Sequence, residues 1–157
     1  MRDFTSNERQ LLSDRKQQFE PFLEEMLPVL ADFADRIGIE NSHLIAADPD
    51  VFLPPIAEFM REQMVAPNDR SWIVTRLGYF IGEVLNKRLG GCWFINEWPE
   101  TRYFLHYVVG QFDDGSRPNA MVDPFEIANA FVAAPPGRDL SKLIAEVESA
   151  CRTHPRK

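Results

Sequence analysis

The hydrophobic positions of the first forty residues recur at three- and four-residue spacing, which is the period of one face of an α-helix. Pro21 and Pro28 interrupt this pattern. Because proline removes a backbone donor and disfavours helical geometry in the residue before it, we expect a break near Glu20. The pattern therefore predicts two successive helices, at residues 6–20 and 21–37.

A second helical region follows a turn at residues 48–50. Pro54 and Pro55 fit a first helical turn, where their missing N–H groups are not needed, and the apolar pattern continues to Val65. Residues 70–89 then carry a wide apolar stripe. A stripe of this width is typical of a central, largely buried helix.

The helical period then gives way to short runs of strand-forming residues. Residues 92–95 predict a first strand, and residues 103–112 predict the clearest strand, which is apolar on both faces and so covered on both. A turn is expected at residues 113–116. Residues 117–122 are expected to return as a third strand, where Pro118 indicates the edge of a sheet.

Two helices complete the pattern. Asp123 is expected to cap the first, with Pro124 in its first position, and an amphipathic helix then runs to Cys151. The tail from Thr153 is expected to fray. The predicted fold is a mostly helical α+β domain covering residues 1–157, with N-terminal helices, a long central helix, a small antiparallel sheet of two to three strands and two C-terminal helices.

The composition is that of an ordinary globular protein, since 45% of the 157 residues are hydrophobic and 26% are charged. No stretch approaches the roughly 18 apolar residues of a membrane span. The first residues carry no apolar signal-peptide core, so we expect a cytoplasmic protein with no membrane partner. In a reducing compartment Cys92 and Cys151 are expected to be free, buried thiols.

The net charge of −7 is unevenly distributed. Residues 1–66 carry thirteen acids against six bases, whereas residues 67–157 carry eleven of each. A nucleic-acid partner is not expected, because it requires clustered Lys and Arg. An acidic face would attract a basic protein partner, although an acidic composition also serves solubility alone.

Motifs that carry catalysis or bind cofactors do not occur in the sequence. There is no HxH, HExxH, CxxC, GxSxG, P-loop or dinucleotide-binding glycine pattern. His43, His106 and His154 are too scattered for a metal site, and His106 is expected to be a satisfied structural histidine. Cys92 follows a helix C-terminus, where the dipole disfavours a thiolate. The sequence predicts a protein without enzymatic activity, metal or cofactor.

Gly78 and Gly82 lie four residues apart inside the long predicted helix. Each costs about 1 kcal/mol relative to alanine, so we expect close packing against a helix or the sheet, with a ligand groove as the alternative. Glu83 is expected to form a structural ion pair and not to act as a catalytic acid. Three bases are candidates for its partner: Arg76, Lys87 and Arg102.

The aromatic residues around the first strand have two expected roles. Trp93 is expected to seal the core beneath the sheet. Trp98 lies in a polar turn between Glu97 and Pro99 and is expected to be a surface contact, because aromatic residues carry much of the binding energy at protein interfaces.

Three segments of the second half of the chain match a pattern: residues 78–85 read GYFIGEVL, residues 89–93 read LGGCW and residues 123–125 read DPF. Over residues 70–135 the chain resembles a family of small uncharacterised bacterial proteins. In that family a helix with a Gly-Glu pair leads to a Gly-Gly-x-Trp strand and an Asp-Pro-Phe-like helix start. The resemblance implies a cytoplasmic immunity protein, which neutralises a toxin delivered by competing bacteria, and it transfers no catalytic residues.

Charge, aromatic residues and resemblance together favour a non-enzymatic acidic protein that binds and occludes a toxin with a basic surface. Six residues are predicted to contact this partner: Glu24, Glu25, Asp32, Asp35, Trp98 and Glu100. The alternative is a structural or regulatory module with a small-molecule pocket between the helices and the sheet. An enzyme is the weakest hypothesis.

Overall fold

A computed structural model of the protein describes residues 2–113 and 116–152. Its helices are α1 Ser6–Arg36, α2 Pro49–Arg61, α3 Arg70–Leu89, α4 Pro124–Ala133 and α5 Leu140–Arg152, with 3₁₀ turns at Ser42–Leu44 and Pro67–Asp69. The strands are β1 Cys92–Ile95, β2 Tyr107–Gly110 and β3 Met121–Val122. This arrangement confirms the predicted α+β fold class.

The long helix α3 is central, as its apolar stripe predicts. It packs against α1, α2, α4, α5 and the sheet. Leu77, Phe80 and Leu85 are fully buried within it. Gly90 ends the helix in a left-handed conformation (φ 67°) and donates its N–H to Asn86, a conformation that glycine adopts without steric cost.

Helix α1 is a single continuous helix, so the predicted break near Glu20 is wrong. Pro21 and Pro28 both lie on its exposed side. The carbonyls that lose their donors belong to Gln17 and Glu24, which are also exposed and so accessible to water. Packing of the opposite side against the core then offsets the remaining cost of the prolines.

Helix α2 begins earlier and ends earlier than predicted. It starts at Pro49 and ends at Arg61, so Pro54 and Pro55 lie inside the helix and not in its first turn. Both prolines are exposed, whereas Phe52, Ile56 and other apolar residues form the buried side. The buried side again determines the extent of the helix.

The sheet has the order β1-β2-β3 and is antiparallel throughout. Trp93 pairs with Val109 on one side of β2, and Val122 pairs with Val109 on the other. Every residue of β2 is buried, which agrees with the prediction of a strand covered on both faces. β3 is an edge strand, as predicted.

Both later strands are shorter than predicted. Residues 103–105 form turns, and Leu105 takes a positive φ of 67°, which ends the extended conformation before β2. The third strand consists of Met121 and Val122 alone, because Pro118 and Asn119 form a turn ahead of it. The central part of the predicted turn at residues 113–116 lies outside the described residues, as does the predicted frayed tail.

Helix α4 begins as expected, with Pro124 in its first position after Asp123. The Asp123 carboxylate accepts hydrogen bonds from the backbone N–H groups of Phe125 and Glu126 at 2.9 and 3.2 Å. Asp139 accepts similarly from Lys142 at the start of α5. These caps satisfy donors that a helix leaves unpaired in its first turn.

No helix among the described residues is long and apolar enough to cross a membrane.

Candidate functional site

Helix α1 carries an acidic face, which we define by four of the predicted partner contacts: Glu24, Glu25, Asp32 and Asp35. All four side chains are exposed. With about 100° of rotation per residue they fall within a sector roughly 100° wide and span about 16 Å of helix axis. The buried residues Met26, Leu30 and Phe33 occupy the opposite side of the helix.

Two arginines lie beside the acidic face. Arg36 donates from Nε to Asp32 at 2.7 Å. Burial lowers the pKa of Arg76, and the nearby Asp32 carboxylate acts in the opposite direction. The Arg76 guanidinium stacks on Trp72 with Cζ 4.0 Å from the ring centroid. Within the described ranges, three acids of the face have no ion-pair partner: Glu24, Glu25 and Asp35.

Trp98 lies in a loop that is organised around the buried amide of Asn96. The Trp98 N–H donates to Asn96 Oδ1 at 3.2 Å, and the Thr101 hydroxyl donates to the Trp98 carbonyl at 3.0 Å. The Trp98 side chain is 42% exposed. An aromatic side chain on an internally hydrogen-bonded loop loses little conformational entropy when a partner covers it.

Trp98 also forms one wall of a groove of about 450 Å³ on the outer side of the sheet. Its apolar lining includes Phe94, Phe112 and Met121, and Glu97 and Arg117 supply charges. The structure thus places Trp98 on a concave apolar surface, which suits a partner side chain.

The six predicted contacts form two surfaces and not one. Trp98 and the exposed Glu100 lie beside the N-terminal half of α1, where Lys16 pairs with Glu97 at 3.5 Å. Lys16 precedes Glu24 by about 12 Å along the helix and points about 130° away from the centre of the acidic face. A partner that contacts both surfaces must therefore extend around the helix.

An aromatic cluster connects α1, α3, the sheet and α4. Its centre is Phe22, whose ring lies 4.5 Å from Tyr107, 5.0 Å from Tyr79 and 5.2 Å from Trp93 between centroids. Phe125 lies 5.8 Å from Trp93. Trp93 is buried within this cluster, where the sequence places it.

The two helix glycines allow this cluster to approach α3. A Cβ on Gly82 would collide with the Trp93 indole, and one on Gly78 would collide with the Phe125 ring. The close packing against the sheet and a helix is as predicted. The alternative of a ligand groove at these glycines is wrong, because aromatic side chains occupy the space.

The predicted ion pair of Glu83 is wrong. No base lies within ion-pair distance of it in the described part of the chain; instead the Trp93 indole N–H donates to Glu83 Oε2 at 3.2 Å. Burial raises the pKa of Glu83, and the hydrogen bonds from Trp93 and Asn86 act in the opposite direction. The carboxylate holds the indole in place below the sheet.

His106 and Asp123 form a pair that the sequence analysis did not bring together. His106 immediately precedes β2, and its Nδ1 lies 2.7 Å from Oδ2 of Asp123. At this distance from a carboxylate Nδ1 carries the proton, which leaves Nε2 as the acceptor of a neutral ring. Asp123 is almost fully buried, and its other oxygen caps α4.

This pair lines a cleft of about 420 Å³, which we call the histidine cleft. Helices α1, α3 and α4 and strand β2 meet there. Its aromatic walls are Phe22, Tyr79, Tyr107 and Phe125. Its polar residues are Arg15, Thr75, His106 and Asp123.

The sequence contained a signal for the His106–Asp123 pair. A symmetric hairpin around the turn at residues 113–116 places residue 106 opposite residue 123, because antiparallel partners are equidistant from the turn. The observed register, with Val109 opposite Val122, is shifted by two residues but keeps these side chains in contact. The hairpin register, and not either residue alone, carries this signal.

The cysteines and histidines do not assemble into a metal centre. Among residues 2–113 and 116–152, no group of three His, Cys, Asp or Glu side chains could hold a metal ion. Both cysteines are free thiols. Cys151 is buried and its pKa is raised by that burial. Cys92 is exposed, contrary to expectation, because it alternates with the inward-facing Trp93 on β1.

No family model, curated protein or solved structure matches the chain.

Proposed function

We propose that this protein is a non-enzymatic binding protein that docks a basic protein partner on the acidic face of α1. The observation that carries this proposal is the exposure of Glu24, Glu25, Asp32 and Asp35 on one side of a helix whose other side is anchored in the core. Concentrated negative charge accelerates encounter with a positively charged surface and selects against acidic partners.

Trp98 is the second element of the proposal. Its loop is held by hydrogen bonds through Asn96 and Thr101, so the indole is presented before a partner arrives. Preorganised aromatic anchors commonly account for a large share of interface energy. The acidic face would then increase the association rate and the selectivity for basic partners. Contacts of Trp98 would slow the dissociation of the complex.

The hydroxyl groups of the histidine cleft are not arranged for nucleophilic catalysis. Its three hydroxyl groups all donate to backbone carbonyls: Thr75 to Ser71, Tyr79 to Phe22 and Tyr107 to Arg15. Burial raises the pKa of Tyr79 to about 12, which keeps this phenol protonated. Nucleophilic catalysis needs a hydroxyl or thiol hydrogen-bonded to the histidine, and none of these groups is.

Within this class we propose an immunity protein that acts in the cytoplasm and occludes a toxin. The support for this narrower role is the sequence pattern at residues 78–85, 89–93 and 123–125, together with the acidic face. The mechanism is steric: the bound protein covers a basic active-site cleft of the toxin. No chemical step on the toxin is required.

The direct experiment is co-expression with the product of the adjacent gene, followed by purification of the complex and a toxicity assay. We expect a stable complex and survival of cells that carry both genes. An adjacent gene whose product neither binds the protein nor harms cells lacking it would refute the immunity role.

A further inference from the structure

The histidine cleft contains a cation without a carboxylate partner. Arg15 is half-buried, its Nε donates to the Leu105 carbonyl at 2.9 Å, and its Cζ lies 4.3 Å from the Tyr107 ring centroid. Within residues 2–113 and 116–152 its terminal nitrogens make no hydrogen bond or ion pair. A partly desolvated guanidinium gains most from a bidentate anion such as a carboxylate.

The carboxylate in the cleft, Asp123, already has hydrogen-bond partners. Asp123 accepts hydrogen bonds from the start of α4 with one oxygen and holds His106 Nδ1 with the other. Both carboxylate oxygens of Asp123 are therefore hydrogen-bonded to groups other than Arg15. A ligand with an anionic group of its own would pair with Arg15 and leave the hydrogen bonds of Asp123 intact.

His106 supplies the second directional contact. Its side chain is 41% exposed, and with Nδ1 held by Asp123 its Nε2 has no protein partner in the described structure. In the neutral ring this nitrogen accepts a hydrogen bond. A ligand hydroxyl satisfies it.

The aromatic walls of the cleft indicate the chemical class of the rest of the ligand. Phe22, Tyr79, Tyr107 and Phe125 present aromatic surface, and rings prefer offset or edge-to-face contact with other rings. A cation would also suit aromatic walls, but Arg15 already covers Tyr107 and would repel it. The volume of about 420 Å³ is large enough for a single-ring molecule.

We propose that the histidine cleft binds a small aromatic carboxylate that also carries a hydroxyl group. The carboxylate pairs with Arg15, the ring packs against the wall formed by the four aromatic side chains, and the hydroxyl donates to Nε2 of His106. This inference is independent of partner binding, because none of the four acids of the acidic face lines the cleft.

The first test uses the wild-type chain with 4-hydroxybenzoate, its neutral analogue 4-hydroxybenzamide, benzoate and inorganic phosphate, by calorimetry and amide chemical-shift mapping. We expect saturable binding of 4-hydroxybenzoate with shifts at the cleft. The amide should bind roughly tenfold or more weakly, since an ionic hydrogen-bonded pair is lost. Benzoate should lie between them, and phosphate should not bind at the cleft.

The second test separates Arg15 from general charge. Arg15→Gln should weaken 4-hydroxybenzoate binding roughly tenfold or more. Arg9→Gln removes an exposed arginine of the same helix that does not line the cleft, and it should leave binding unchanged. Thermal unfolding checks that both variants fold.

If Arg15→Gln does not fold, the comparison of acid and amide on the wild type decides the question. Equal binding of 4-hydroxybenzoate and 4-hydroxybenzamide overturns the proposal. So does the failure of 4-hydroxybenzoate to bind, or binding of phosphate alone at the cleft.

Discussion

At the scale of single residues, the contact between Glu83 and Trp93 is the clearest case in which the fold changes the role of a side chain. The sequence spacing correctly predicts close packing at the neighbouring glycines, because helix geometry alone places Gly78 and Gly82 on one face of the helix. The partner of Glu83 was not predictable in the same way. That partner, Trp93, lies on β1, and only the packing of the sheet on α3 brings its indole next to the Glu83 carboxylate.

The pH dependence of Glu83 gives a first prediction. Its folded-state pKa is raised above the ordinary 4.5 by burial, so protonation is favoured in the folded state. The group stabilises the fold below that ordinary value, and this contribution is lost as pH rises through the raised pKa. Glu83→Gln, which stays neutral and keeps an acceptor for Trp93, should therefore be more stable than wild type at pH 7.

This difference should shrink as pH falls below the ordinary pKa. Urea unfolding at several pH values measures it. Glu146→Gln, at an exposed position on α5, serves as the control and should change little. A Glu83→Gln variant that is less stable than wild type at pH 7 would contradict the assigned effect of burial.

The glycines give a second prediction. Gly82→Ala should lower the free energy of unfolding by about 1–3 kcal/mol through collision with Trp93, although alanine favours helix by about 1 kcal/mol. Trp93→Phe removes part of the indole, so a double-mutant cycle should show favourable coupling between the two changes. Strictly additive effects in chemical denaturation would exclude the contact as the cause.

At the scale of elements, the sequence predicts the type and order of the helices and strands, but it misplaces the boundaries of α1 and α2, the two helices that contain prolines in their interior. The proline positions argue for a break near Glu20 and for a first helical turn at Pro54 and Pro55, whereas both helices run through these prolines. The reason is tertiary: the prolines lie on exposed sides, and the opposite sides pack into the core. The sequence pattern does not show how strongly this packing stabilises each helix, because that contribution depends on the core.

Helix α1 gives a third prediction. Pro21→Ala and Pro28→Ala each restore a backbone donor on the exposed side of α1, and each should raise the free energy of unfolding by about 1–3 kcal/mol. Pro118→Ala, in an exposed loop, is the matched control and should stay within about 0.5 kcal/mol of wild type. Loss of stability in both helix variants, measured by thermal and urea unfolding, would mean that the prolines shape the helix for packing.

At the scale of the whole molecule, the acidic face and the histidine cleft are formed by different residues, because none of the four acids lines the cleft. The excess of acids in the first 66 residues is visible in the sequence, and the helical period indicates which acids share a face. What the sequence does not show is that Trp98 and Glu100 lie on a different side of α1 from that face. Their position depends on long-range contacts such as Lys16 with Glu97, which no local pattern contains.

This charge distribution gives a fourth prediction, which concerns kinetics. Association with a basic partner should slow at least tenfold when ionic strength rises from about 0.05 to 0.5 M, whereas dissociation should change less. Stopped-flow or surface-based kinetics measure both rates. An association rate independent of salt would show that the acidic face does not guide the encounter.

The most direct measurement of the proposed function is the affinity for the adjacent gene's product after charge reversal of the acidic face. One variant replaces the four acids of that face with lysine: Glu24, Glu25, Asp32 and Asp35. The matched control makes the same change in net charge at four exposed acids elsewhere: Glu40, Glu58, Glu62 and Glu146. Circular dichroism and thermal unfolding confirm that both variants are folded.

By isothermal titration we expect the control to bind within about threefold of wild type, because distant exposed charges are screened. The acidic-face variant should bind at least about a hundredfold more weakly, through lost attraction and new repulsion. Equal affinities of the two variants, or an acidic-face variant that binds as tightly as wild type, would contradict the proposal that this face docks the partner.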